Sequence, residues 1–170
     1  MPNWDGIHLI EKEFWRNGQT ENLFTDASDW GGGATYGEYF TVFAWNDGID
    51  RKECNIQVRE MYALVVAVLT FRRFWFRKRY LIYTDNAANI FAMKKGACDN
   101  KLVMQLIRIL TAEQIKSNFS IRLEHIRSEL NTVADSLSRG SISVVRRINP
   151  ELIRLDPVFP QGFHPLANAR

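Results

Sequence analysis

Cysteine is scarce in this sequence: Cys54 and Cys98 are the only two among 170 residues. Two thiols without Cys-x-x-Cys spacing exclude a disulfide framework and a cysteine-built zinc site. They read as partly buried thiols of a reducing compartment. Long hydrophobic runs are also missing. No apolar stretch approaches the ~20 residues that a membrane-spanning helix needs, and Met1-Pro2-Asn3-Trp4-Asp5-Gly6 lacks the basic start and apolar stretch of a signal peptide. The expectation is a soluble, intracellular protein of the cytoplasm or nucleus, with no membrane partner. Charge of one sign is not in excess either. Lys and Arg outnumber Asp and Glu by 22 to 19, leaving a net charge of +3, a mild bias toward anionic partners that carries no nucleic-acid claim alone. The sequence has no internal repeats.

What is present describes one folded domain. A composition of 46% hydrophobic and 24% charged residues argues against disorder, and the length suffices to bury a core. Residues 1–21 form a lead-in with room for a short helix around residues 10–15. Leu23-Phe24-Thr25 opens a strand that ends near Asp26, and Gly31-Gly32-Gly33 requires a turn or a close backbone approach. Strands over residues 34–36 and 40–45, joined at Gly37-Glu38, complete an antiparallel meander. The period then changes: from 57 to about 74 apolar residues recur at helical spacing. Residues 80–84 form a buried strand ending at Asp85, and 87–94 a short helix stopped by Gly96. Asn100 caps a helix over about 101–116, 119–125 is a fifth strand, and 132–139 is a helix closed by Gly140. The order βββ-α-β-α-α-β-α predicts an α/β fold: a mixed five-stranded sheet, three strands antiparallel and two parallel, flanked by helices. Beyond Gly140, residues 141–170 carry Arg146-Arg147 and the prolines Pro157, Pro160 and Pro165, and read as an irregular tail.

Four carboxylates fall at the ends of these elements. Asp26 on the first strand and Asp85 ending the fourth should meet at one edge of the sheet. Glu60 is expected in the first turn of the long helix, and Asp135 in the first turn of the last, where the macrodipole favours a carboxylate. Clustered carboxylates repel one another strongly unless cations neutralise them. Hard oxygen ligands suit Mg²⁺ or Mn²⁺ rather than Zn²⁺, and two such ions ~4 Å apart support in-line displacement at a phosphodiester. Each acid alone has a plainer reading. Asp26 serves as a turn former, Glu60 as a solvated helix acid, Asp85 as a cap and Asp135 as another first-turn acid. Their arrangement is what favours a metal site.

The strings around these acids are Leu23-Phe24-Thr25-Asp26-Ala27-Ser28-Asp29-Trp30-Gly31-Gly32-Gly33, Val58-Arg59-Glu60-Met61-Tyr62-Ala63-Leu64, Tyr83-Thr84-Asp85-Asn86-Ala87-Ala88, and the run from His125 through Asn131-Thr132-Val133-Ala134-Asp135-Ser136-Leu137-Ser138-Arg139. In this order they resemble type 1 ribonuclease H, and more narrowly the ribonuclease H domain that follows reverse transcriptase in gypsy-type and DIRS-type retrotransposons. The resemblance implies a ribonuclease H-like catalytic domain over 22–140 and cleavage of the RNA strand of an RNA–DNA hybrid. It also implies two Mg²⁺ ions on Asp26, Glu60, Asp85 and Asp135, with Mn²⁺ able to substitute, and a reverse transcriptase domain in the same polyprotein. His125 is similar to the family's mobile-loop histidine, which assists proton transfer or product release; its plainer role is simply to end a strand. Ser28 and Asn86 flank metal ligands and are candidates for hybrid contact, and Asn131 for shaping the loop before the last helix. The chain departs from cellular ribonucleases H in one respect. Only Ala97-Cys98-Asp99 joins the two middle helices, so the basic helix that often serves as a substrate handle is absent. The stretch from Arg72 to Arg79, with Arg72, Arg73, Arg77 and Lys78 among aromatics, is the candidate substitute; its plainer reading is a helix end with core aromatics.

Two other readings are open. One is a catalytically weak or inactive ribonuclease H-like scaffold supporting a polymerase or nucleoprotein complex, although such domains typically lose an acid and this chain has all four. The other is a different nuclease or transferase on the same fold. Proofreading exonucleases need Asp-x-Glu where this chain has Asp26-Ala27-Ser28, and retroviral-type integrases use a glutamate in the last helix where it has Asp135.

Overall fold

The computed structural model describes residues 21–46, 49–75 and 79–163. The helix expected around residues 10–15, and Arg77 and Lys78, lie outside the described residues. The meander is β1 (Glu21–Ala27), β2 (Gly31–Tyr36) and β3 (Tyr39–Ala44), antiparallel throughout. Then come α1 (Ile56–Phe71), a 3₁₀ turn at Arg72–Phe74, β4 (Arg79–Thr84), α2 (Ala87–Lys95), α3 (Lys101–Ser117), β5 (Ser120–His125) and α4 (Thr132–Ser138). β4 lies parallel to β1, and β5 parallel to β4. The predicted order of elements and the mixed sheet are both observed.

The sheet has six strands rather than five, in the order β5-β4-β1-β2-β3-β6. The added strand comes from the segment expected to be irregular. α5 (Ile142–Ile148) packs on α4, and β6 (Ile153–Arg154) pairs parallel with β3. Two residues, both exposed, are too few for alternation to register as a strand.

Asparagine side chains cap three of the helices. Asn55 accepts a hydrogen bond from the Val58 amide, Asn86 from that of Asn89, and Asn100 from those of Leu102 and Val103, satisfying donors that a first helical turn leaves open. Every residue of α1 from Val58 to Phe71 is buried, because the helix lies on β1 and β2 beneath α3. The glycine triplet belongs to β2, not to a turn. A Cβ on Gly32 would stand 2.4 Å from the Phe43 ring and 3.0 Å from Ala63 of α1, whereas one on Gly33 would stand 2.3 Å from Leu137 of α4. Adjacent strand residues face opposite sides, so the pair lets a helix press closely on each face of the sheet.

Candidate metal centre

β1, β4 and β5 run parallel with neighbouring carboxyl ends, and there the chain places Asp26, Asp85 and His125. Asp26 is the penultimate residue of β1, Asp85 directly follows β4, and His125 ends β5 opposite Thr84. Such ends are where open α/β sheets bind ligands. Glu60 reaches the same end from α1. That helix starts at Ile56, so Glu60 sits in its second turn rather than its first, and it is buried rather than solvated.

Asp26, Glu60 and Asp85 each offer a carboxylate oxygen, and these oxygens lie within 4.8 Å of one another. Asp26 and Glu60 are both only 7% exposed. Burial raises the pKa of Glu60 to about 9, with the charges of Asp26 and Asp85 adding to it. Burial likewise raises Asp26 to about 6; the Ser138 hydrogen bond opposes the rise, while Asp85 and Asp135 add to it. No ion pair with Lys or Arg reaches any of the three among the described residues. Converging, partly buried carboxylates that no described Lys or Arg ion-pairs are a donor set suited to a hard divalent cation.

Asp135 lies in the first turn of α4, as expected, but outside this group of three. Its Oδ1 accepts a hydrogen bond from Nε of Arg139, one turn later, at 2.9 Å, and lies 2.9 Å from Nη2 in the same ion pair. It remains near enough for its charge to act on Asp26.

The other expected site residues divide. His125 is exposed at the end of the sheet where the acids converge. Asn86 caps α2. The Ser28 hydroxyl donates to the Ser138 carbonyl at 2.6 Å. Asn131 is buried and donates through Nδ2 to the Thr25 carbonyl at 3.1 Å, tying the start of α4 to β1. Arg72 and Arg73 are not brought to the acids. They lie about 18 Å further along the axis from Glu60, at 1.5 Å per helical residue. The adjoining Phe74 stacks on Tyr36 and Tyr39 at the opposite end of the sheet. Arg72 is ion-paired to Glu113 of α3, and Arg73 donates to the Thr70 carbonyl and lies over the Phe74 ring.

Sequence reasoning missed the hydroxyls that hold the acids. Ser138 donates to Asp26 Oδ2 at 2.6 Å, Ser128 to Asp85 Oδ2 at 2.6 Å, and Thr84 lies 3.5 Å from Glu60 Oε2. Thr84 and Ser138 stand within motifs already singled out, so their chemistry was visible but their partners were not. Ser128 lies within the run from His125 to Arg139 as well, and its partner was equally hidden. It also lines, with Arg127, Glu129 and Leu130, a depression of about 660 Å³ that therefore adjoins Asp85. Arg59 was missed as well: it donates to the Ser28 carbonyl at 2.9 Å and to Asp29 at 2.7 Å, fixing the turn after β1.

The strand order, the helices on both faces and the acids at the carboxyl ends of the parallel strands define a protein of the ribonuclease H fold. It is similar to RNase H1 from the halophilic archaeon Halobacterium salinarum, with a TM-score of 0.53 and 16% identity over 74% of this chain and 98% of that one. It is also similar to LC11-RNase H1, isolated from compost by a metagenomic approach, with a TM-score of 0.52 and 15% identity over 75% and 98%. The N-terminal RNase H domain of a Mycobacterium tuberculosis protein gives a TM-score of 0.53 and 15% identity over 71% and 98%. No protein-family model and no curated protein matches the sequence.

Proposed function

We propose that this chain is a divalent-metal-dependent ribonuclease H that cuts the RNA strand of RNA–DNA hybrids, leaving 5′-phosphate and 3′-hydroxyl ends. The observation that carries the reading is the convergence of Asp26, Glu60 and Asp85 from three separate elements to within 4.8 Å. Asp26, Glu60 and Asp85, with Asp135 once released from Arg139, would hold two Mg²⁺ ions, which Mn²⁺ can replace. When bound, the ions supply a water activated as nucleophile and charge compensation for the leaving oxygen. Buried Asp26 and Glu60 form the fixed floor of the site. Half-buried Asp85 forms its open side, and exposed His125, opposite Thr84 at the end of β5, would pass a proton to the solvent side. Ser28, Asn86 and Asn131 act mainly by shaping this end of the sheet.

The wider reading follows the sequence motifs. The catalytic motifs lie within 22–140, and their context is a retroelement polyprotein of gypsy or DIRS type. A reverse transcriptase domain of the same polyprotein supplies part of the substrate affinity, in the cytoplasm or nucleus. No helix among the described residues is long and apolar enough to cross a membrane. One observation favours the scaffold alternative: Asp135 is ion-paired to Arg139 rather than gathered with the other acids.

The test is incubation with labelled RNA–DNA hybrid, double-stranded RNA and double-stranded DNA, each with Mg²⁺ or EDTA. Mg²⁺-dependent cutting of RNA in the hybrid alone is expected, abolished by Asp85→Asn. A folded protein that cuts none of the three, alone or fused to its polymerase, favours the scaffold.

A further inference from the structure

Ser138 has no exposed surface at all, yet it carries a hydroxyl. A fully buried hydroxyl is costly unless it is hydrogen-bonded, and the partners here are unusual. Its Oγ stands 2.6 Å from Asp26 Oδ2 and 2.9 Å from the Asp135 carbonyl of its own helix. A hydroxyl has one proton to give. The shorter bond, to a group that can be charged, is the stronger.

The register explains how a helix residue reaches β1. Asp26 is paired with Gly33 across β1 and β2, and directly opposed residues of two strands point to the same face. That face is the one α4 covers, because a Cβ on Gly33 would stand 2.3 Å from Leu137 Cβ and 2.9 Å from the Ser138 amide nitrogen. The bare glycine lets α4 settle beside Asp26. Ser138 is locked there in turn, its carbonyl accepting from the Ser28 hydroxyl two residues beyond Asp26.

We infer that Ser138 is a positioning residue for Asp26, fixing one carboxylate oxygen from behind so that the other is presented to a divalent cation beside Glu60 and Asp85. The inference rests on the metal-site reading and adds to it a residue that touches neither substrate nor cation. It also joins two ligand-bearing elements, since α4 carries both Ser138 and Asp135. Loss of the hydroxyl frees Asp26 to rotate within a site whose other oxygens stay in place.

The experiment is titration of the full chain with Mn²⁺, followed by the electron paramagnetic resonance of free Mn²⁺, beside steady-state cleavage of hybrid. Ser138→Ala should bind Mn²⁺ about tenfold or more weakly, the usual range for a lost support behind a metal ligand. Its kcat should fall while KM for hybrid moves less than about twofold, since only the reacting centre has changed. Val133→Ala, which loosens α4 without touching a carboxylate, separates positioning from docking. The idea is overturned if Ser138→Ala keeps wild-type Mn²⁺ affinity and kcat, or if Val133→Ala weakens Mn²⁺ equally for the same drop in melting temperature. A wild-type protein that binds Mn²⁺ but cuts no hybrid sinks the nuclease reading alone. One that binds no Mn²⁺ sinks both.

Discussion

Glu60 and Asp26 keep carboxyl groups where water scarcely reaches, and the acids beside them outweigh the opposing charge of Arg59 at Glu60. Burial therefore favours their protonated forms, raising Glu60 to about 9 and Asp26 to about 6 from ordinary values of 4.5 and 3.8. The folded chain then holds more protons than the unfolded one from near pH 4 up to pH 9, so stability falls as pH rises through that window. The melting temperature of the metal-free protein should drop by several degrees between about pH 5 and pH 9. Glu60→Gln, neutral at every pH, should flatten that decline above about pH 7, where Asp26 has largely ionised. Mg²⁺ should raise the melting temperature more at high pH, because binding requires deprotonated ligands. Differential scanning calorimetry with EDTA or Mg²⁺ checks all three. A metal-free melting temperature that is constant or climbs over this range is incompatible with acids buried together.

At the scale of elements, the site depends on how deeply α4 sits on the sheet, and Gly33 sets that depth. Gly33→Ala puts a methyl group 2.3 Å from Leu137 Cβ, so α4 must move outward with Ser138 and Asp135. A loss of about 1–3 kcal/mol is expected, the range for overpacking a close contact, together with most of the cleavage activity. Gly37→Ala is the comparison. It sits at the β2–β3 turn with φ +56 and nothing near its Cβ position, so it should cost about 1 kcal/mol from backbone strain and spare activity. Urea unfolding and hybrid cleavage on the two variants decide it; equal activity in both removes Gly33 from the site's architecture. The glycines also mark how far the sequence could be read. Changes of period locate β1, α1, β4, α2, α3, β5 and α4 to within a few residues, and strand ends and helix starts draw Asp26, Glu60 and Asp85 toward one end. Three adjacent glycines, however, mean a turn or a close approach alike, and only the helices on either face decide between them. Arg72 and Arg73 illustrate the same limit. Their alternation with aromatics suits a phosphate surface, but α1 carries them to the far end of the sheet, where Glu113 and Phe74 engage them.

At the scale of the whole molecule, the segment after Gly140 closes the fold, a role that its short elements and prolines concealed. α5 lays Val145 against the face covered by α4. Leu152 joins it in a cluster with Phe40, Val42 and Leu137. β6 then extends the sheet, its Ile153 amide donating to the Glu38 carbonyl, and the Leu155 amide just beyond donates to that of Phe40. The chain next passes to the opposite face. The Val158 amide donates to Thr70 of α1, Phe159 meets Phe43 edge-on, and Phe163 lies 5.5 Å from Tyr62 between ring centroids. One segment thus seals both layers. Full burial of Val145, Leu152 and Phe163 stabilises by roughly 1.5–3 kcal/mol each, a total comparable with the ~5–15 kcal/mol that holds a whole domain folded. A chain ending at Gly140 keeps all four acids, yet it bares Phe40 and Leu137 on one face and Phe43 and Tyr62 on the other. It should lose cooperative unfolding, bind a hydrophobic dye and aggregate, whereas Phe163→Ala in the full chain should fold with a loss of about 3–5 kcal/mol. Calorimetry of the two proteins separates the cases. If the shortened chain melts cooperatively near the full-length temperature, the closing segment is an appendage and the catalytic domain ends at Gly140.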